Sequence, residues 1–121
     1  MAYTLDRTLE GINFEDSVHR AKAALGRHGF GVLTEIDVKE TMKKKIDADV
    51  DDYIILGACN PRMALEAMKI EPKVGAMLPC NVIIRSIGGG NVMVSAIDPV
   101  ASMQAIDNPA LKRAADQVRA R

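Results

Sequence analysis

The sequence has no tryptophan and only four aromatic residues among its 121, two tyrosines and two phenylalanines. Its core must therefore be built from aliphatic side chains and from some of its seven methionines. Apolar residues make up 48% and charged residues 26% of the chain, as in an ordinary globular domain. This composition excludes a disordered tail, a collagen-like fibre and a disulfide-stapled miniprotein, and the length favours one domain over residues 1–121.

The chain also lacks an excess of charge, since 16 Lys and Arg balance 16 Asp and Glu. Binding to a nucleic-acid backbone needs surplus positive charge to release counterions, so we expect no nucleic-acid partner. The longest apolar run, from Tyr53 to Cys59, is far shorter than the ~20 residues that span a bilayer, so we expect no membrane association. The N-terminal sequence lacks the basic start and following apolar run that are typical of a secretory signal. We therefore expect a cytoplasmic protein.

Cysteine is equally scarce, because Cys59 and Cys80 are the only two. Two cysteines without a secretory signal are typical of reduced thiols in the cytosol rather than of a disulfide framework. The sequence has no Cys-x-x-Cys motif and no pair of histidines at helical spacing, so we expect no metal site of the structural zinc type. We predict no bound cofactor.

The apolar pattern predicts a single compact α+β domain with about five strands and four or five helices, in the order β-α-β-α-β-α-β-β-α-α. The predicted strands cover residues 3–9, 30–36, 53–59, 79–87 and 91–97. Phe30, Val32, Thr34 and Ile36 are predicted to share one face of the second strand. Three pairs of a short polar residue and a proline predict helix starts, at Asn60-Pro61, Asp98-Pro99 and Asn108-Pro109. Residues 73–77 are predicted to be a loop, and residues 88–90 a hairpin turn.

The predicted third strand, Tyr53 to Cys59, is apolar on both of its faces. Such a strand is expected inside the sheet, covered on both sides or on one side by a partner subunit. The predicted helices carry narrow, alanine-rich stripes that cover little area, so an apolar patch should remain for a second chain. We therefore expect a homodimer.

Cys59 is the first candidate for chemistry, because it ends this strand and directly precedes the helix start Asn60-Pro61. Free amides and the positive end of a helix dipole stabilise a thiolate, so we expect a lowered pKa and a reactive thiol. The alternative is a small buried apolar residue, since free cysteine is among the most buried residue types.

Cys80 begins the next predicted strand, and if the two strands pair antiparallel, the two sulfurs converge as an attacking and a resolving thiol. The alternative for Cys80 is a role in packing only. Asn60, Asn81 and Arg62 are candidate ligand-binding residues beside the cysteines, and Arg62 could steady the charge of an anionic ligand. An exposed cation in the first helical turn is the alternative for Arg62.

Two segments, residues 53–61 (YIILGACNP) and 75–82 (GAMLPCNV), together with Asp98-Pro99, resemble the bacterial and archaeal family catalogued as domain of unknown function 302, DUF302. The similarity extends over nearly the whole chain. It implies a compact α+β domain that tends to dimerise and that occurs alone or beside sulfur-handling and redox modules. Because both segments centre on a cysteine, the resemblance also implies that Cys59 and Cys80 belong to one site, but it implies no established reaction or substrate.

Three functions are compatible with these features, and whether the protein is an enzyme stays open. The leading hypothesis is a thiol-centred site that binds a small anionic or sulfur-containing ligand in a redox or sulfur-metabolism setting. The second is a non-catalytic dimeric binding or sensor domain whose cysteines are structural. The third and weakest is the binding of a soft metal or haem through Cys59 and a methionine.

Overall fold

The computed structural model describes residues 3–102 and 108–119 and confirms the predicted α+β fold and its order of elements. All five strands pair antiparallel in one sheet, in the order β1-β5-β4-β3-β2. The strands are β1 Thr4–Glu10, β2 Gly31–Asp37, β3 Tyr53–Cys59, β4 Cys80–Gly88 and β5 Asn91–Ile97. The helices are α1 Phe14–Arg27, α2 Val38–Ile46, α3 Pro61–Ile70, α4 Pro99–Ser102 and α5 Pro109–Arg119, with a 3-10 helix over Pro72–Met77. Within the described residues, no helix is long and apolar enough to cross a membrane.

Short polar side chains begin the helices, and Asn60 does so at the start that the sequence predicts. Asn13 accepts a hydrogen bond from the amide of Asp16 at 2.8 Å, and Asp37 accepts one from Glu40 at 3.0 Å. Asn60 accepts from the amide of Met63 at 3.2 Å. Each bond satisfies an amide that has no partner inside the helix, which is why these residues set where the helices start.

One face of the sheet is covered by α1, and we call it the helix-covered face. Leu56, Val82 and Ala96 lie opposite one another in a row across β3, β4 and β5 on this face. Val18 of α1 packs in the same cluster, where Leu56 and Ile84 are fully buried. A second cluster joins α3, the 3-10 helix and α5 through Ala67, Val74, Leu111 and Ala115. The core is thus aliphatic, as the shortage of aromatic residues predicts.

The opposite face, which we call the open face, carries a row of three isoleucines. Ile36 on β2 pairs with Ile55 on β3, and Ile55 pairs with Ile83 on β4. Side chains alternate between the faces of a strand, so these residues lie opposite to Leu56 and Val82. None of the three belongs to either core cluster of the described residues.

Two local predictions are wrong. A β-bulge between Val32 and Thr34 adds the extra residue Leu33, so Val32 pairs with Ala58 on the helix-covered face and Ile36 lies on the open face. Residues 73–77 are not an irregular loop but part of the 3-10 helix. Glu71 accepts a hydrogen bond from the amide of Lys73 at 3.3 Å, and the burial of Val74 holds the turn against the second cluster.

The packing around Gly57 leaves no room for a side chain. A methyl group there would meet the side chain of Thr34 and lie 2.6 Å from Cγ of Pro79. We expect Gly57→Ala to lower the free energy of unfolding by about 1–3 kcal/mol, the usual cost of overpacking. Gly75→Ala is the control, since no atom lies within 4 Å of the added carbon. Urea denaturation measures both variants, and equal stabilities would contradict the expected close packing at Gly57.

Candidate functional site

Both cysteines lie at the same end of the sheet, where β3 ends and β4 begins. The strands pair antiparallel, as predicted, with Ala58 opposite Cys80. Cys59 is the next residue after Ala58 and immediately precedes the Asn60 cap of α3. The positions of the two cysteines relative to the strands and to α3 are therefore those expected from the sequence.

The register also assigns the two cysteines to different sides of their strands. Cys80 shares the helix-covered face with its partner Ala58. Cys59 follows Ala58 by one residue, and alternation along a strand places it toward the open face. Both are free thiols. Both cysteines nevertheless line one small cavity at this end of the sheet, and Cys59 is near enough to affect the pKa of Cys80.

A small cavity of about 40 Å³ lies where α3 and α5 meet this end of the sheet. Its wall is apolar apart from Asn60 and the two cysteines. The residues that line it are Phe30, Ala58, Cys59, Asn60, Met63, Ala64, Ala67, Leu78, Cys80, Pro99, Leu111, Ala114, Ala115 and Val118. Since a water molecule needs about 10–15 Å³ of such space, the cavity accommodates a few waters at most and no organic ligand.

A larger cavity of about 350 Å³ opens between α1, α5 and the helix-covered face of the sheet. Its apolar lining consists of Leu5, Ala21, Ala24, Leu25, Phe30, Ala58, Val82, Val94, Ala96, Ile97, Pro99 and Val118. Cys80, Asn81, His28 and Arg119 complete the wall. The four alanines in the wall leave the space between α1, α5 and the sheet unfilled, because a methyl group is too short to bridge it. Cys80 borders both cavities.

Burial raises the pKa of the Cys59 thiol. Burial also raises the pKa of Cys80, and the nearby Cys59 adds to that increase. This is opposite to the lowered pKa that the sequence predicts for Cys59. The physical reason is desolvation by burial, and the free amide of Met63 donates to the Asn60 side chain rather than to the sulfur. Among the described residues, no amide donates to the Cys59 sulfur, so desolvation dominates and the neutral thiol is favoured.

The remaining predicted site residues are dispersed. Asn60 lines the small cavity, and its carboxamide oxygen is occupied by the helix cap. Asn81 is exposed and borders the larger cavity. Arg62 is exposed in the first turn of α3 and lines neither cavity. No group of three or more His, Cys, Asp or Glu residues in the described ranges is arranged to hold a metal ion.

Two nitrogen-bearing side chains at the larger cavity, His28 and Arg119, are not among the site residues that the sequence predicts. His28 follows the last turn of α1, and Arg119 is the last described residue of α5. The Arg119 guanidinium Nε lies 3.6 Å from a carboxylate oxygen of Asp98. No local motif connects these residues, because only the packing of α1 and α5 on the same end of the sheet brings them to one wall.

Comparison with known proteins places this geometry in a family. The model of the family described as "Domain of unknown function DUF302" matches residues 5–121. The fold is similar to a crystal structure of an uncharacterized conserved DUF302 protein from Bacillus stearothermophilus, with a TM-score of 0.90 and 23% sequence identity. The match covers 99% of this chain and 92% of that one. No curated protein matches the chain.

The thiol environment generates the second prediction. We expect alkylation by iodoacetamide to give an apparent pKa above ~8.5, the ordinary value of a free thiol, for both cysteines, because burial disfavours the thiolate. Rates measured between pH 6 and 11 on Cys59→Ala and Cys80→Ala separate the two groups. An apparent pKa below ~8.5 for Cys59 would instead restore the activated thiol.

The raised pKa values of the two thiols also make the stability of the fold depend on pH. A thiol whose pKa is raised in the folded state stabilises the fold fully below the unfolded value of ~8.5, and this contribution is lost as the pH rises through the folded pKa. Urea denaturation should therefore show the stability of the native chain falling more steeply above pH ~8.5 than that of a Cys59→Ala, Cys80→Ala double variant.

Proposed function

The chain belongs to DUF302, a domain family of unknown function, and we propose that it binds a small, mainly apolar carboxylate in the larger cavity without transforming it. The observation that carries this proposal is an apolar cavity of about 350 Å³ with an arginine and a histidine side chain in its wall. The proposed activity is that of a binding or sensor domain, in which the two cysteines are structural.

The size of the cavity supports a ligand rather than trapped solvent. Pockets that hold small molecules typically measure about 300–1,000 Å³, and an apolar cavity of about 150 Å³ already binds benzene. Leu25, Phe30, Val82 and Val94 are among the apolar side chains in the wall. Water gains few hydrogen bonds from such a wall, so an aliphatic chain or a small ring displaces it favourably.

The charged part of the wall supports an anionic group on the ligand. Arg119 has a half-exposed side chain (51%), and its Nε is 3.6 Å from Asp98, longer than the ~2.7–2.9 Å of a charge-assisted hydrogen bond. The guanidinium has five N–H donors, so donors remain for a second carboxylate. His28, the C-cap residue of α1, offers a further ring N–H at the same cavity.

The thiols support a binding role more than a chemical one. Cys80 borders the larger cavity, but burial raises its pKa and keeps it protonated near neutral pH. A protonated thiol is a small, weakly polar wall group, which suits an aliphatic ligand. A thiol-centred reaction with a sulfur-containing ligand has less support, since neither cysteine has a neighbouring base or a cation in its hydrogen-bonding surroundings among the described residues.

The third prediction concerns ligand size and place. We expect hexanoate and octanoate to bind, with affinity rising about fourfold per added CH₂ until the cavity is full, since each buried CH₂ contributes ~0.8 kcal/mol. Ala24→Phe, which fills the cavity from α1, should abolish binding measured by isothermal titration calorimetry. Ala23→Phe is the matched control, because Ala23 is exposed on the same helix and is not in the wall.

Two results would contradict this assignment: no heat of binding for any carboxylate of the series, or equal binding by the Ala24→Phe and Ala23→Phe variants. Cysteine alkylation independently tests which cavity holds the ligand. Bound octanoate should slow the alkylation of Cys80, which borders the larger cavity, and leave Cys59, which borders only the small one, unaffected.

The fourth prediction concerns the anionic group. We expect octanoate to bind more tightly than octanol, and Arg119→Met to reduce that preference by about tenfold, since a hydrogen bond to a charged group contributes ~1.5–3 kcal/mol when buried and less when half exposed. Arg113→Met on the exposed side of α5 is the control. An unchanged preference in Arg119→Met would exclude this side chain as the anion contact.

A further inference from the structure

We propose that the small cavity is a side pocket of the carboxylate site and takes a short alkyl branch on the carbon next to the ligand's carboxyl group. The inferred ligand class is a carboxylate with a 2-alkyl branch, such as 2-methyloctanoate, bound preferentially as one enantiomer. The inference rests on the proposed function, because it assigns one part of the ligand in the larger cavity to the small cavity beside it.

The two cavities are neighbours that have part of their walls in common. Five residues border both cavities, and we call them the shared wall: Phe30, Ala58, Cys80, Pro99 and Val118. Because the same residues face both spaces, the cavities are separated by no more than the thickness of these side chains. Phe30, Cys80 and Val118 are only partly buried, which leaves their side chains room to shift when a ligand binds. A ligand in the larger cavity therefore lies against the entrance to the small one.

The charged end of the ligand lies beside the shared wall. Arg119 directly follows Val118 on α5, and His28 lies two residues before Phe30. Consecutive Cα atoms are ~3.8 Å apart, so both nitrogen-bearing side chains begin close to this wall. Val94, at the apolar end of the larger cavity, lies in the middle of β5 and away from this end of the sheet. The tail of the ligand therefore extends toward Val94, and the carbon next to the carboxyl group lies at the shared wall.

The small cavity has the volume and the wall of a pocket for an alkyl branch. Its space of about 40 Å³ holds a few waters at most, and a methyl or ethyl group replaces about one or two of them. The Asn60 carboxamide oxygen already accepts the helix-cap hydrogen bond, and the free thiols of Cys59 and Cys80 are weak donors and acceptors. Water in this cavity gains few hydrogen bonds, so an alkyl group displaces it favourably.

Three fixed directions at the branched carbon select one enantiomer of the ligand. The carboxyl group points to Arg119 and His28, the chain points toward Val94, and the branch crosses the shared wall into the small cavity. In the mirror-image ligand the branch and the hydrogen are exchanged, so the branch no longer enters that cavity. Two enantiomers are equal in acidity and in hydrophobicity, and a difference between their affinities therefore reports the place of the branch alone.

The fifth prediction compares octanoate with each enantiomer of 2-methyloctanoate by isothermal titration calorimetry. We expect one enantiomer to bind about fourfold more tightly than octanoate, the effect of ~0.8 kcal/mol per buried CH₂, and the other to bind no more tightly. Ala64→Leu fills the small cavity from α3, so it should make the two enantiomers bind equally and leave octanoate binding unchanged. Ala76→Leu is the matched control, because Ala76 is exposed and lines neither cavity.

Alkylation of Cys59 locates the branch in the native chain, because Cys59 borders only the small cavity. The favoured enantiomer should slow this alkylation, whereas octanoate should leave it unaffected. Far-ultraviolet circular dichroism verifies that the variants fold. If Ala64→Leu unfolds, Ala114→Leu fills the same cavity from α5 and is measured instead.

Three results overturn this inference while the proposed function stands. They are equal binding of the two enantiomers by a chain that binds octanoate, an enantiomer preference that persists in a folded Ala64→Leu or Ala114→Leu variant, and unhindered alkylation of Cys59 with the favoured enantiomer bound. The absence of any octanoate binding contradicts the proposed function itself, and this inference with it. The affinity for octanoate thus separates the failure of one proposal from the failure of both.

Discussion

The antiparallel pairing of β3 with β4 is the constraint on which the other features depend. Because side chains alternate along a strand, this one register places Ala58 and Cys80 on the helix-covered face and Ile55 and Ile83 on the open face. A shift by one residue would exchange the two faces. It would bury the isoleucine row under α1 and remove Cys80 from both cavities. The position of Cys80 in the cavity wall and the row of isoleucines on the open face are thus consequences of the same ladder.

Two opposing effects act on the pKa of Cys59, the free amides at the start of α3 and the loss of hydration on burial. A helix N-terminus stabilises a thiolate only where its free amides face the sulfur. Here the Asn60 carboxamide accepts the amide of Met63, which satisfies the helix end with a neutral group. What remains for Cys59 is the loss of hydration, and its pKa rises. The cap that makes the start of α3 easy to predict also takes an amide that could otherwise have faced the sulfur, and burial decides the direction of the pKa shift.

Sequence patterns predict an element correctly where the interaction that forms it joins residues close together along the chain. The predicted caps at Asn60, Asp98 and Asn108 act through side chains two or three residues from the amides they satisfy, and all three are present. The prediction for β2 failed at Leu33, because a bulge depends on what the partner strand β3 offers opposite it. The cavity between α1 and α5 was equally out of reach, since its wall joins residues as distant along the chain as His28 and Arg119.

The sequence by itself determined the class of fold, the order of the elements, the family resemblance and the aliphatic character of the core. These follow from periodicity, capping and composition, which act over a few residues at a time. Only the tertiary structure decided which side of the sheet α1 covers, how much space the alanines leave between α1 and α5, and that both thiols lose solvent. Those outcomes depend on the summed packing of distant segments, where small differences in side-chain volume determine whether a space is filled or left open.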